Sequence, residues 1–311
     1  MGFYLLNLGN RLVSKRALIF PGQGSQYVGM AKDIYESSVK AKELIQQAEE
    51  EINYKISEVM FNGPEVELKL TNITQPSIFL HSILLLNEIN NLEFAAVAGH
   101  SLGEYSALVA NNSLDKIDAF KLVRKRGEAM LEAGNKMPGT MAAIIGLEAL
   151  KVEEICIEAS SEGIVQCANF NSPGQIVISG SVEGVKKAME LTKIAGAKIA
   201  KELVVSGAFH SPLMASASDE LKVSLDSTKF NTPTRPVYSN VTAKPNIDNN
   251  QIKELLLQQL TPPVRWEETI LNMIEDGINE FIEVGPSKVL QGLAKRINKD
   301  VKISGIEKFE D

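Results

Sequence analysis

The sequence predicts an α/β fold, a large domain built on a mainly parallel sheet and interrupted by a smaller lobe. Three observations predict it. Short apolar runs alternate with longer helical stretches along the chain. The run at 94–98 is apolar at every position, as strands buried on both faces are. From 140 to 205 the text changes to strand, helix, strand, strand, helix, strand.

In chain order, a strand at 17–20 is stopped by Pro21-Gly22, a helix rich in Glu, Lys and Gln covers 36–51, and an apolar helix covers 75–90. The strand at 94–98 runs into Gly99-His100-Ser101-Leu102-Gly103, and a helix follows at 115–133. The lobe then reads as strand 140–146, helix 148–160, strands 163–169 and 175–180, helix 182–195 and strand 198–205. This βαββαβ order is the ferredoxin-like arrangement. Helices and a late strand at 280–284 complete the large domain. The predicted organisation is an extension at 1–15, a large subdomain at 16–137 and 207–311, and a small subdomain at 138–206.

A chain of 311 residues can bury a sizeable core. Its net charge of −7 argues against nucleic acid as a partner, because phosphate-backbone binding needs a basic footprint. Cys156 and Cys167 form no CxxC pair and no Cys/His cluster with metal spacing, so both read as reduced core residues of a cytoplasmic protein, and no metal is expected. The apolar run near the N-terminus, followed by basic residues, is too short to span a bilayer, and Leu6 stands where a myristoylation signal needs Ser or Thr. It reads as an extension, and no membrane association is expected.

The chemistry starts at Ser101. The five residues 99–103 fit G-x-S-x-G, with an apolar strand before them and Leu102, Tyr105, Leu108 and Val109 at helical spacing after them. That context makes a strand-to-helix elbow that presents the hydroxyl at a helix N-terminus, where developing negative charge is favoured.

A serine nucleophile needs a base, and the chain has three histidines. His100 is adjacent to Ser101 and points elsewhere on such a turn, whereas His81 lies in the apolar helix and reads as a core residue. His210 remains, in the loop Phe209-His210-Ser211-Pro212, and is the expected base. The oxyanion would be met by the N–H of Leu102, directly after the nucleophile, and by a second donor from another loop. The loop Pro21-Gly22-Gln23-Gly24 offers Gln23 for this; its start of a G-x-G-x-x-G pattern fails at Tyr27, so a dinucleotide is not expected.

Six motifs in register carry a resemblance: Phe20-Pro21-Gly22-Gln23-Gly24-Ser25-Gln26, Thr74-Gln75-Pro76, Gly99-His100-Ser101-Leu102-Gly103-Glu104, Arg126-Gly127, Phe209-His210-Ser211-Pro212-Leu213-Met214 and Glu283-Val284-Gly285-Pro286. From about residue 16 onward the chain resembles the malonyl-CoA:acyl-carrier-protein transacylases of type II fatty acid synthesis and the acyltransferase domains of polyketide synthases. The resemblance implies an α/β-hydrolase-like large domain with a ferredoxin-like insert. It implies Ser101 as nucleophile, His210 as base, and the N–H groups of Gln23 and Leu102 as oxyanion hole. It also implies that Arg126 binds the malonyl carboxylate, that a main-chain carbonyl at Gln259 orients His210 in place of an acid, and that Phe209 bears on acyl selectivity.

Helical spacing alone does not choose between Arg126, among Leu122 and Met130, and Arg124, near Phe120 and Leu131. The expected reaction carries a malonyl group from malonyl-CoA through an ester on Ser101 to the phosphopantetheine thiol of acyl carrier protein, in a monomer, without a cofactor. A discrete polyketide-synthase acyltransferase, a serine thioesterase or acyl hydrolase, and a non-catalytic carrier-binding module are the alternatives. A basic patch is expected to dock the acidic carrier, either Lys121, Lys125 and Lys136 or Lys295, Arg296 and Lys299.

Overall fold

The computed structural model describes residues 15–89 and 92–308, so the extension expected at 1–15 lies, apart from Lys15, outside the described residues. Ten strands occur in the order β1 (Arg16–Phe20), β2 (Ala96–Gly99), β3 (Thr140–Ile145), β4 (Val165–Ser172), β5 (Gln175–Gly180), β6 (Ile199–Glu202), β7 (Val237–Tyr238), β8 (Pro245–Asn246), β9 (Glu280–Val284) and β10 (Lys302–Ile306). They form two sheets. One has the order β10-β9-β1-β2-β7-β8, parallel throughout except for the edge pair β7–β8, and the other has the antiparallel order β4-β5-β3-β6.

The large sheet is covered on both faces, and its period of two shows in the core. Leu18, Phe20, Val97, Ile282 and Val284 point into one apolar cluster, while Ala17, Ile19, Ala96, Ala98 and Phe281 point into another with Trp266 and Leu290. The smaller sheet buries Ala142, Ile144, Cys167, Ile176 and Ile178 against the helices Ala149–Ala159 and Val182–Ile194, which supply Val152, Cys156 and Val185. Both cysteines are buried and unbridged there.

Several predicted boundaries move. The helix expected at 36–51 is two, Lys32–Ser37 and Val39–Ile52. Ser38 between them is extended, and its Oγ accepts the Ala41 N–H over 3.2 Å, capping the second helix as it breaks the first. The apolar helix runs from Thr71 to Glu88, so Pro76 lies inside it. A proline has no N–H to offer the carbonyl four residues back. That carbonyl, on Asn72, instead accepts a 2.7 Å hydrogen bond from Arg124 Nη1. The late strands β7, β8 and β10, of which β8 and β10 form the sheet edges, carry no sequence signal strong enough to have been expected. No helix among the described residues is long and apolar enough to cross a membrane.

Candidate active site

Ser101 stands where β2 gives way to the helix Gly103–Ala110, with φ +52°, a left-handed conformation that a serine seldom adopts. The flanking glycines are sterically required. A Cβ on Gly99 would fall 1.9 Å from the carbonyl carbon of Gly103, and one on Gly103 would fall 2.2 Å from the carbonyl oxygen of Phe20. Asn240, buried just beyond β7, braces the turn from the neighbouring strand. Its Oδ1 accepts the Ser101 N–H and its Nδ2 donates to the Gly99 carbonyl, both over 2.6 Å.

His210 also lies in the left-handed region, at φ +54°. Its Nδ1 is 2.9 Å from the main-chain carbonyl of Gln259 and its Nε2 is 2.8 Å from Ser101 Oγ. A carbonyl can only accept, so the proton sits on Nδ1, and Nε2 is left to accept the serine hydroxyl. Gln166 of β4 donates to the His210 carbonyl over 2.9 Å and equally to that of Thr261, so the small sheet helps hold the loop that carries the ring. Burial, then the charge of Arg126 and then His100, push the ring down from its ordinary 6.5 to about 3. The imidazole is therefore neutral across the physiological range.

Arg126 is 1% exposed, on the helix Lys116–Lys136. Its Nη1 donates to Gln75 Oε1 over 2.7 Å, and its Nη2 donates to Gln259 Oε1 over 3.0 Å and to Ser101 Oγ over 2.9 Å. Arg124, the residue that helical spacing could not separate from it, leaves the site. It pairs with Glu128 over 2.7 Å and serves the carbonyl freed by Pro76. Close approach of the two helices is possible because Gly127 has no side chain, where a Cβ would lie 2.9 Å from both Asn72 Cα and the Thr71 carbonyl.

Ser101, His210, Arg126, Gln23, Leu102 and Phe209 all line one cavity of about 190 Å³ between the two sheets. Met141 of β3, Asn171 of β4 and Val177 of β5 close it from the small sheet, and Leu290 and Leu293 of the helix Val289–Ile297 from another side. Gly22 abuts His100, where a Cβ would be 2.5 Å from its carbonyl oxygen, which sets the Gln23 loop beside the elbow. Gln259 lies behind Arg126 and His210, touching both.

The other two histidines stand as the sequence suggested. His81 is buried in the apolar helix with Nε2 2.8 Å from the Glu307 carbonyl, and His100 turns its Nε2 to Asn171 Oδ1 over 2.9 Å with its ring beside Trp266. Of the basic candidates, Lys121, Lys125 and Lys136 are each paired with a carboxylate, of Glu51, Glu128 and Glu132 respectively. Lys295 donates to the Lys299 carbonyl, and Arg296 donates to the side chain of Gln175, a residue of the cavity wall.

Sequence reasoning assigned no role to Gln75, Glu104 or Asn240, and only a main-chain role to Gln259. Glu104 is 2% exposed, and its Oε2 accepts the Asn240 N–H over 2.9 Å and Gln259 Nε2 over 2.8 Å. Burial pushes its carboxyl up to about 7 against the pull of those two donors and of Arg126. The signal was present as the one charged residue of the otherwise uncharged elbow helix.

A serine paired with a neutral histidine, beside a buried arginine lining the same cavity, can carry an acyl group, and the guanidinium can pair with a carboxylate on it. The comparisons agree with that chemistry. The sequence profile of the acyl transferase domain family matches residues 17–306. The malonyl CoA-acyl carrier protein transacylase of Bacillus subtilis (strain 168) is 47% identical over 293 residues, covering 93% of this chain and 92% of its own. The solved structure of the malonyl CoA-acyl carrier protein transacylase from Coxiella burnetii superposes with a TM-score of 0.91 at 39% identity, covering 96% of this chain and 95% of that one. A malonyl-transacylase solved in complex with its type II polyketide-synthase acyl-carrier protein gives 0.91 at 38% identity, over 95% of this chain and 97% of its own. With a match that runs from the first strand to the last, the chain belongs to the acyl transferase domain family and is an acyltransferase.

Proposed function

We propose that the protein transfers the malonyl group of malonyl-CoA to the phosphopantetheine thiol of acyl carrier protein, for fatty acid synthesis, by a ping-pong reaction through Ser101. The observation that carries this reading is the meeting of Ser101 Oγ with His210 Nε2 at 2.8 Å and Arg126 Nη2 at 2.9 Å. The first pairing makes a nucleophile and the second selects an acyl group with a free carboxylate.

In the first half-reaction His210 Nε2 takes the hydroxyl proton as Oγ bonds to the thioester carbon. The N–H groups of Gln23 and Leu102 stabilise the oxyanion, and the Gln259 carbonyl, holding Nδ1–H, stabilises the imidazolium. The carbon–sulfur bond then breaks, and His210 returns the proton to the sulfur of CoA. In the second half the carrier thiol gives its proton to His210 and attacks the ester, and Oγ leaves with the same proton. Side chains and main-chain groups supply every step, so the reaction needs no cofactor. Phe209, buried in the wall, limits the bulk of the acyl group beside the base.

The proposal includes an α/β-hydrolase-like subdomain at 16–137 and 207–311 with a ferredoxin-like insert at 138–206, in a protein that works as a cytoplasmic monomer. With Lys121, Lys125 and Lys136 already paired, the carrier protein would dock at Lys295, Arg296 and Lys299, on and just beyond the helix that lines the cavity.

Intact-protein mass spectrometry after brief mixing with malonyl-CoA tests the reading. The expected gain is one malonyl unit on the peptide containing Ser101, lost on adding the reduced carrier with its pantetheine arm and absent from Ser101→Ala. Malonate released to water at the same rate with or without carrier would instead mark a hydrolase.

A further inference from the structure

Glu104 takes no part in the steps above, yet it is a carboxylate buried three residues from the nucleophile. Its Oε2 receives two N–H donors, from the Asn240 main chain and from Gln259 Nε2. Gln259 bridges from there to both halves of the site. Its carboxamide oxygen accepts from Arg126 Nη2 over 3.0 Å, its Nε2 also reaches the Ser101 carbonyl at 3.3 Å, and its main-chain carbonyl holds His210.

A carboxamide has one donating and one accepting end, a guanidinium only donates, and an ionised carboxylate only accepts. Between Glu104 and Arg126 the Gln259 side chain can therefore satisfy both neighbours in one direction only, NH₂ toward Glu104 and oxygen toward Arg126. Reversal would set two donors face to face among side chains that are each no more than 2% exposed, and a buried unpaired donor is costly. Oε2 of Glu104 already accepts both the Asn240 N–H and Gln259 Nε2, and charge-assisted hydrogen bonds are roughly twice as strong as neutral ones, so the ionised form, which predominates above about pH 7, fixes the amide most firmly.

We infer that Glu104 is a positioning residue for acyl selection: by fixing the direction of the Gln259 carboxamide it holds Arg126 where Nη2 meets the acyl carboxylate, and so sets the preference for carboxylated over plain acyl groups. The inference rests on the reading of Arg126 given above. Glu104 touches neither substrate nor the reacting atoms, and a purely structural role would depress all acyl transfers alike.

The test is a double-mutant cycle read as the ratio of kcat/KM for malonyl-CoA to that for acetyl-CoA in Ser101 acylation. Glu104→Gln keeps the shape and removes the charge. Gln259→Ala removes the carboxamide and keeps the carbonyl that His210 needs. Each single variant is expected to lower the ratio about tenfold, the size of one weakened charge-assisted contact. The double variant should fall no further than Gln259→Ala alone, because Glu104 acts through the amide. Equal losses for both acyl groups in Glu104→Gln, or effects that multiply in the double variant, overturn the inference. Should Glu104→Gln yield no folded protein, Gln259→Ala decides by itself, since an unchanged ratio there removes the link. The wild-type protein separates the two levels: with no preference for malonyl the Arg126 reading fails first, and with a preference intact the variants judge Glu104 alone.

Discussion

Arg126 Nη2 donates to Ser101 Oγ over 2.9 Å, so the group proposed to select the acyl chain and the proposed nucleophile share a hydrogen bond. The serine proton is directed to His210, which means that Arg126 engages a lone pair of the oxygen that must attack. On the proposed reading, a malonyl carboxylate arriving on the guanidinium would compete for that N–H and free the lone pair, whereas an acetyl group would leave it engaged.

The consequence is a selective loss. Arg126→Ala should lower acylation by malonyl-CoA by about a hundredfold or more, since each charge-assisted hydrogen bond is worth roughly 1.5–3 kcal/mol. Acylation by acetyl-CoA should change much less. Rapid-quench measurement of both rates checks this, and parallel losses would remove Arg126 from the role.

Because the His210 ring is held down to about 3, the base form persists far below the ordinary histidine range. Acetyl-CoA, which carries no carboxylate to pair with Arg126, should acylate Ser101 at a rate nearly flat from pH 8 to 5.5. A limb centred near 6.5 would contradict the burial argument. The same shift bears on stability: between about 3 and 6.5 the unfolded chain binds a proton at this residue and the folded one does not. This group therefore makes the fold weaken as the solution is acidified through that window.

Asn240 holds the elbow by two buried hydrogen bonds. Asn240→Ala would strand the Ser101 N–H and the Gly99 carbonyl, at about 1–3 kcal/mol for each unpaired group. A lower Tm is expected together with a loss of at least tenfold in serine acylation, because the left-handed backbone at Ser101 would relax. A variant with a lowered Tm and full acylation rate would show that the turn keeps its shape without the amide.

For carrier docking, reversing Lys295 and Arg296 to Glu should slow transfer from preloaded malonyl-enzyme to the carrier roughly tenfold at low salt, with the difference shrinking at moderate ionic strength. Reversal of Lys121 and Lys125, already paired with Glu51 and Glu128, should matter less. Transfer that ignores both salt and charge reversal would place the carrier elsewhere.

The sequence was most legible where chemistry narrows the choice. Three histidines, one in apolar helical text and one beside the nucleophile, left His210 by elimination, and an apolar run before G-x-S-x-G made Ser101 an elbow. The strand and helix order from 140 to 202 was legible because its strands and helices differ sharply in pattern. Helical spacing could not choose between Arg124 and Arg126, since both sit four residues from apolar neighbours, and only the family motif pointed to Arg126. What separates them is across the interface, where Pro76 frees a carbonyl for one and Gln75 and Gln259 receive the other.

The supporting residues were missed for a related reason. Glu104 meets Asn240 and Gln259 across 136 and 155 residues of chain, and no local period encodes such a meeting. The apolar helix begins four residues earlier than expected, with Pro76 inside it, and a guanidinium from another helix meets the carbonyl that its missing N–H leaves open.

Glu104 and His210 feel Arg126 in opposite senses, one attracted and one repelled, and of the two only Glu104, raised to about 7, titrates near neutrality. When an acyl carboxylate neutralises that cation, both groups gain affinity for hydrogen ions. Forming the ester and releasing CoA as a thiol exchanges no net proton by itself. Loading the serine with malonate in weak buffer near pH 7 should therefore turn the solution slightly alkaline, an uptake that an indicator dye can follow and that loading with acetate should lack.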